Sequence, residues 1–330
     1  MPSLKAFNTF GVDVNAAEIK LITQADQLQK LQGRPQDYFI LGGGSNLLLT
    51  KDISRCVLKN EIKGIDILEE NDEGVILQIG GGENWHETVL WTVDKGYAGF
   101  ENLSLIPGTV GASPIQNIGA YGVEIKDYII GVHAYDLQEK KHVIFNKQSC
   151  QFGYRNSIFK QAEYKGRFFI TSIVVKLIKN VFEVKTDYGA IKLVLDHQEI
   201  EVATITDVSN AVIAIRQAKL PDPAVLGNSG SFFKNPVVEE SVYQKIKVKH
   251  AEVPSYAAGE MVKIPAGWLI EQCGWKGMVV GNTGNYKNQA LIIVNHGNAS
   301  GSEIFEHAKN VQASVLDRFG IKLEFEVNIL

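Results

Sequence analysis

Two serines, Ser229 and Ser231, stand among glycines in GNSGSFFKNP (227–236). Glycine lets a backbone approach a ligand closely, and Pro236 stops whatever follows. The pattern suits a hydroxyl presented to a substrate, and it equally suits a turn plugged by Phe232 and Phe233. A hydrolase triad has no support, because the chain carries no GxSxG elbow. Glycine clusters recur in LGGGSN (Gly42–Gly44), at Gly80–Gly82 and through PGTVGASPIQNIGAYG (107–122), the last too long for a simple turn. Together they suit a backbone cradle for a pyrophosphate. They do not form the dinucleotide fingerprint, since Gly42 and Gly44 match but Leu47 stands at the third glycine. Metal chemistry is set aside for want of HExxH or CxxC, and the seven histidines are scattered. His86 reads as an ordinary surface or satisfied core histidine. Arg155 in FGYRNSIFK reads alone as a surface arginine, and Glu326 as part of a solvated strand face.

The elements that hold these residues alternate between strand and helix. DYFILGGGSNLLLT (37–50) reads as strand, glycine turn and a second apolar run, and a helix follows from about Asn84 to Lys95. Residues 129–145 read as a hairpin and 167–179 as a long strand. A Thr/Asp cap and apolar positions at Val208, Val212 and Ile215 predict a helix ending near Lys219, and LPDP then marks a domain boundary. Beyond it the pattern predicts a helix around Ala266–Cys273, a strand at Ala290–Val294 and a helix from Ser302 to Phe319 closed by Gly320. In the tail IKLEFEVNIL, Ile321, Leu323, Phe325, Val327 and Ile329 face one way and Glu324 and Glu326 the other, which predicts a strand.

At 330 residues, two or three domains are expected, and 45% apolar with 21% charged residues excludes wholesale disorder. A net charge of −4 disfavours nucleic-acid or anionic-membrane surfaces, so lysines, arginines and backbone amides must meet any anion locally. Three distant cysteines, Cys56, Cys150 and Cys273, read as reduced thiols in a cytoplasmic protein. The N-terminus has no apolar core of signal-peptide length, and no run approaches a membrane span.

LGGGSN, PGTVGASPIQNIGAYG, GYRNSIF, KLPDP, GNSGSFFKNP, AGWLIEQCGWKG and LEFEV occur in one order over nearly the whole chain. That series resembles the UDP-N-acetylenolpyruvoylglucosamine reductase (MurB) family, and TDYGAIKLVL (186–195) resembles the tyrosine-bearing loop of its type I subgroup. The resemblance implies an α+β fold, a two-subdomain FAD-binding fold of the vanillyl-alcohol-oxidase (PCMH) type plus a smaller α+β substrate-binding domain. The boundaries expected are 1–65 and 66–218 for the FAD subdomains and 219–320 for the substrate domain, with the strand 321–330 packing back on the first subdomain. It implies FAD held by Gly43, Gly44, Ser45 and Asn46, and by Thr109, Gly111, Ala112, Asn117 and Gly119. No histidine lies at Gly42–Asn46 to tether the flavin, which fits non-covalent FAD. The UDP-sugar would meet Tyr121, Tyr188, Lys219, Asn235, Lys276 and Gln289, with Tyr256 stacked on uracil and the lysines balancing pyrophosphate charge.

The implied reaction is NADPH-dependent reduction of UDP-N-acetylglucosamine enolpyruvate, in peptidoglycan precursor synthesis, by a cytoplasmic monomer without nucleic-acid or membrane partners. Arg155 and a protonated Glu326 would stabilise the enol-like dianion, and Ser231 would protonate the carbon. Such a Glu326 needs a raised pKa, which an apolar-backed strand could provide. Ser229 stands where the family more often has alanine or proline and is the rival serine, whereas Asn328 replaces a usual basic residue. A sugar or alcohol oxidase on the same flavin fold, and a non-catalytic nucleotide-sugar binding module, are the alternatives.

Overall fold

Strand Gly74–Gly80 carries Val75, Leu77 and Ile79 at every second position, and all three are buried. Period-two burial of this kind lays one face of a sheet on a core. The strand belongs to a five-stranded antiparallel sheet ordered Lys141–Asn146, Ile129–Asp136, Phe168–Ile178, Gly74–Gly80, Ile65–Glu70. The computed structural model describes residues 1–179 and 184–330. Its contacts divide the chain into two units, one of residues 1–2, 16–43 and 53–216, the other of 3–15, 44–52 and 217–330.

In the first unit a three-stranded parallel sheet, ordered Ala16–Ile22, Ile53–Asn60, Tyr38–Leu41, accompanies the five-stranded one. Helix α1 (Trp85–Asp94) begins at Asn84, whose Oδ1 accepts from Glu87 N at 3.1 Å, so a side-chain cap satisfies one orphan amide. Helices α2 (Gly189–His197) and α3 (Ile205–Lys219) follow, and Ile191, Leu195, Val208, Val212 and Ile215 share one buried cluster. The TDYGAIKLVL segment is therefore a loop only as far as Tyr188. Ile191 and Leu195, four residues apart, supply a buried helical face, and the helix starts at Gly189.

The second unit contains a four-stranded antiparallel sheet ordered Gly227–Ser231, Gln289–Asn295, Thr283–Tyr286, Val279–Val280. A three-stranded sheet, Val237–Glu239, Met261–Lys263, Tyr256–Ala258, lies in the same unit with helices α4 (Glu240–Lys249), α5 (Ala266–Gln272) and α6 (Gly301–Phe319). Ser300 and Glu303 form a capping box at the start of α6, and Gly320 ends it at φ 69°. Phe232 and Phe233 are fully buried, with ring centroids 6.2 Å from Phe10 and 5.4 Å from Phe325 respectively. The two phenylalanines are thus core, and they fix the serines that precede them.

The tail differs from its expected form. Ile321, Leu323 and Val327 are buried as the alternation predicts, but only Asn328–Ile329 form a strand, parallel to Leu47–Leu48. Upstream, Glu326 N donates to Phe232 O and Lys234 N to Glu324 O, around a single bridge between Phe233 and Phe325. Phe232–Lys234 offers too few backbone groups for a continuous ladder. Among the described residues, no helix is long and apolar enough to cross a membrane.

Asp136, at the end of its strand, is buried and accepts from Arg167 Nε at 3.0 Å and Nη2 at 2.7 Å. Burial alone would raise its pKa. Hydrogen bonds from Arg167 and the Glu139 and Gln138 amides outweigh that and hold the carboxyl below its ordinary range. Arg167→Ala leaves the buried carboxylate with two backbone amides but no cation, so urea unfolding should show a loss of about 3–5 kcal/mol. A loss within about 0.5 kcal/mol, as at an ordinary surface site, would show that the pair does not support the sheet edge.

Candidate active site

The glycine loops meet where a side chain would not fit. A Cβ on Gly43 would stand 2.6 Å from Gly108 Cα, and one on Gly42 2.7 Å from Thr109 Oγ1. The second triplet backs this contact, since Gly111 N donates to Gly81 O and Gly81 N to Thr171 O. The first unit therefore brings together Gly43, Thr109, Gly111 and Ala112, four of the residues expected at FAD. Thr109 Oγ1 is buried there without a hydrogen-bond partner. A buried hydroxyl left unpaired costs about 1–3 kcal/mol, and a polar ligand group beside it removes that cost. A cradle of bare backbone with one unanswered donor fits the pyrophosphate-bearing cofactor FAD.

Asn117 uses its side chain to brace the loop that carries it. Its Nδ2 donates to Gly153 O at 3.0 Å and its Oδ1 accepts from Lys126 N at 3.1 Å. The second bond ties the loop to the Ile125–Asp127 turn, and the first ties it to the 152–156 turn. From that turn Arg155 Nη2 donates to Gly119 O at 2.9 Å. Arg155, Asn117, Tyr121 and Leu105 all have positive φ, between 47° and 59°. A non-glycine residue held there costs of order 1–3 kcal/mol, and such residues gather where a loop must take one working shape.

Tyr121 and Tyr188 pack edge to face with centroids 5.2 Å apart, and Asn102 Nδ2 donates to the backbone of Tyr121 and Lys185. Tyr121 also hydrogen-bonds Arg216, and burial leaves its phenol raised although the charge of Arg216 opposes it. Arg216 Nε donates to Leu105 O at 3.3 Å. Sequence reasoning missed Arg216, although it lies four residues beyond the buried Val212 and so shares the inward face of α3.

In the second unit Gly44 takes φ 64° against Phe7, where any side chain would collide with the backbone. Ser45 and Asn46 follow, and Asn46 Nδ2 donates to Glu326 O at 3.3 Å. Asn328 donates from Nδ2 to Asn46 O at 3.0 Å. Glycine loop and tail thus meet at Asn46, Glu326 and Asn328. A bulge between Asn228 and Ser231 interrupts the serine strand, with Gly230 at φ 71°. Ser231 is half-buried, whereas Ser229 is buried with an unpartnered Oγ.

Asn235 Oδ1 accepts from Ala266 N at 2.9 Å, and Gln289 Oε1 is so close to Gly267 that a Cβ there would lie 2.6 Å away. Both residues therefore flank the start of α5. Lys276 forms an exposed ion pair with Glu271 at 2.8 Å, so part of the charge expected for pyrophosphate is already neutralised. Lys219 ends α3 and Tyr256 begins its strand, and both are exposed.

A family model described as the UDP-N-acetylenolpyruvoylglucosamine reductase C-terminal domain matches residues 222–330, and one described as an FAD binding domain matches 25–141. The chain is 49% identical to UDP-N-acetylenolpyruvoylglucosamine reductase of Flavobacterium johnsoniae, covering 99% of this chain and 98% of that one. It is 43% identical to the Pseudomonas putida protein of the same name, over 99% and 97%. The solved structure of the Thermus caldophilus MurB superposes with a TM-score of 0.69 at 22% identity, covering 99% and 96%, which places the α+β fold.

Gly43→Ala tests the cradle. The variant should purify folded but with at least about ten-fold weaker FAD retention, read from the ratio of flavin to protein absorbance. Full flavin content would show that the contact with Gly108 does not shape the cofactor site.

Proposed function

We infer the roles of individual residues from one premise: the chain belongs to the UDP-N-acetylenolpyruvoylglucosamine reductase family. It is an FAD-dependent oxidoreductase that takes reducing equivalents from NADPH and converts UDP-N-acetylglucosamine enolpyruvate to UDP-N-acetylmuramate, a step of peptidoglycan precursor synthesis. The oxidase and non-catalytic readings are not favoured. The geometric observation that carries the cofactor reading is the unpartnered Thr109 hydroxyl inside a wall of bare glycine backbone.

FAD, when bound in this cradle, would supply the hydride-transfer chemistry for reducing the enolpyruvyl ether. The negative charge that develops beside the substrate carboxylate needs a fixed cation, and Arg155 is assigned that role. Its backbone and its bond to Gly119 O hold the guanidinium without reorganisation. Glu326, half-buried on the tail, is assigned as the carboxyl that donates to the same charge. Ser231 is assigned as the proton donor to the carbon; a serine suffices when the acceptor is a strongly basic carbanion. Gly43, Gly44, Ser45, Asn46, Thr109, Gly111, Ala112, Asn117 and Gly119 are assigned to FAD, Asn117 through the loop it braces. Tyr121, Tyr188, Lys219, Asn235, Lys276 and Gln289 are assigned to the UDP-sugar, with Tyr256 on uracil.

We keep 1–65 and 66–218 as the FAD subdomains and 219–320 as the substrate domain. We place the enzyme in the cytoplasm as a monomer, in keeping with three unpaired cysteines and one chain that carries every assigned residue.

Tyr256→Ala should raise KM for the UDP-sugar by about 1–3 kcal/mol of lost stacking, with kcat little changed. An unchanged KM removes Tyr256 from the site. For the serines, Ser231→Ala should leave NADPH bleaching of the flavin near its normal rate and slow reoxidation by substrate about 10²–10⁴-fold. Ser229→Ala should leave both half-reactions nearly intact. Equal slowing of both half-reactions in Ser231→Ala would make that serine structural, and a selective loss in Ser229→Ala would transfer the role to the buried hydroxyl.

A further inference from the structure

The first turn of α1 grips the loop leading into the flavin cradle at three points. Trp85 Nε1 donates to Leu103 O at 3.0 Å, and Trp85 N donates to Gly108 O at 3.0 Å. Between them Leu105 N donates to His86 Nδ1 at 3.0 Å. Leu105 has φ 59°, a conformation that a leucine adopts only when its surroundings impose it. Its carbonyl is held from the other side by Arg216 Nε. Gly108 and Thr109, which close against Gly42 and Gly43, lie three and four residues further on.

We propose that His86 is a positioning residue for the cofactor: its Nδ1 lone pair pins Leu105 in the left-handed conformation and thereby sets the Gly108–Thr109 edge against which FAD lies. The proposal rests on the reading of residues 107–112 as that edge. Of the three grips on the loop, only this one depends on protonation. Nδ1 accepts a hydrogen bond only in the neutral imidazole with its proton on Nε2. An imidazolium turns an N–H toward the Leu105 N–H, and the bond is lost.

The groups around the ring favour the neutral form. Burial lowers the pKa of His86 first, the Arg216 guanidinium on α3 lowers it further, and Glu87 on its own helix opposes them. Because the folded chain binds this proton more weakly than the unfolded one, the bond is complete at neutral pH. It is lost only as pH falls through that lowered pKa, beneath the ordinary histidine value of 6.5. Cofactor affinity should fall with it.

FAD dissociation constants of the full-length protein, read by flavin fluorescence from pH 8 to 5, test this. Wild type should bind FAD uniformly above neutrality and weaken about ten-fold or more as the imidazole titrates. His86→Leu, which has no acceptor, should bind about ten-fold more weakly at pH 8 and show no inflection. His86→Asn, whose Oδ1 replaces Nδ1, should recover wild-type affinity at pH 8 within about three-fold and also lack the inflection. Recovery by asparagine separates positioning from simple packing, and it reads out even if the leucine variant fails to fold. Wild-type affinity in His86→Leu at pH 8, or an inflection that survives in His86→Asn, would overturn the proposal. A wild-type protein without affinity for FAD at pH 8 would overturn instead the cofactor reading beneath it.

Discussion

Gly43 approaches Gly108 so closely that it cannot carry a side chain, Gly108 itself takes φ 123°, and the flavin cradle of the first unit is organised around that approach. Backbone bonds deliver the Gly108 side to its place. Val110 N reaches Glu83 O, Gly111 N reaches Gly81 O, and Gly81 N reaches Thr171 O on the long central strand. The five-stranded sheet therefore sets the loop through consecutive main-chain bonds, which are far stiffer than a side-chain contact. Positive φ at Leu105, Asn117, Tyr121 and Arg155 shows the same loop system held in conformations it would not choose alone. The unpaired Thr109 hydroxyl belongs to this arrangement: a shape made for a ligand leaves a polar atom that the protein does not answer.

Electrostatics in the loop system favour an anionic ligand. The chain is acidic overall, yet the Arg155 charge lies near enough to disfavour that of Arg216. Arg216 is further disfavoured by burial and is compensated by its hydrogen bond to Tyr121. An anionic ligand reduces the repulsion between two guanidinium groups and gains from both. A local concentration of cations on a negative protein attracts an anionic ligand to that place.

Much of this was legible in the sequence where period and punctuation agree. The strand Phe168–Ile178, helix α1 after its Asn84 cap and helix α6 before Gly320 all follow from apolar spacing and capping residues. The glycine runs announced close approach, and GSFFKNP with PIQNIGAYG carried the family. Other features depend on contacts between distant segments. The tail alternates correctly, but a ladder requires a partner, and only Leu47–Leu48 and a few groups around Phe233 supply one. Nothing in PGTVGASPIQNIGAYG says that Asn117 uses its amide on Gly153 and Lys126. His86 looked ordinary because its partner is a backbone amide 19 residues away. Arg216 could have been found from its helical register with Val212, whereas the left-handed leucine beneath it could not.

The activity depends on an FAD site that passes electrons from NADPH to an enolpyruvyl ether and not to oxygen. An anaerobic spectral titration tests that most directly. NADPH should bleach the visible flavin band of the purified protein. One equivalent of UDP-N-acetylglucosamine enolpyruvate should then restore the band in the absence of oxygen, with UDP-N-acetylmuramate formed in matching amount. A band that stays bleached with the enolpyruvyl substrate and returns only on admitting air, with release of peroxide, would contradict the account.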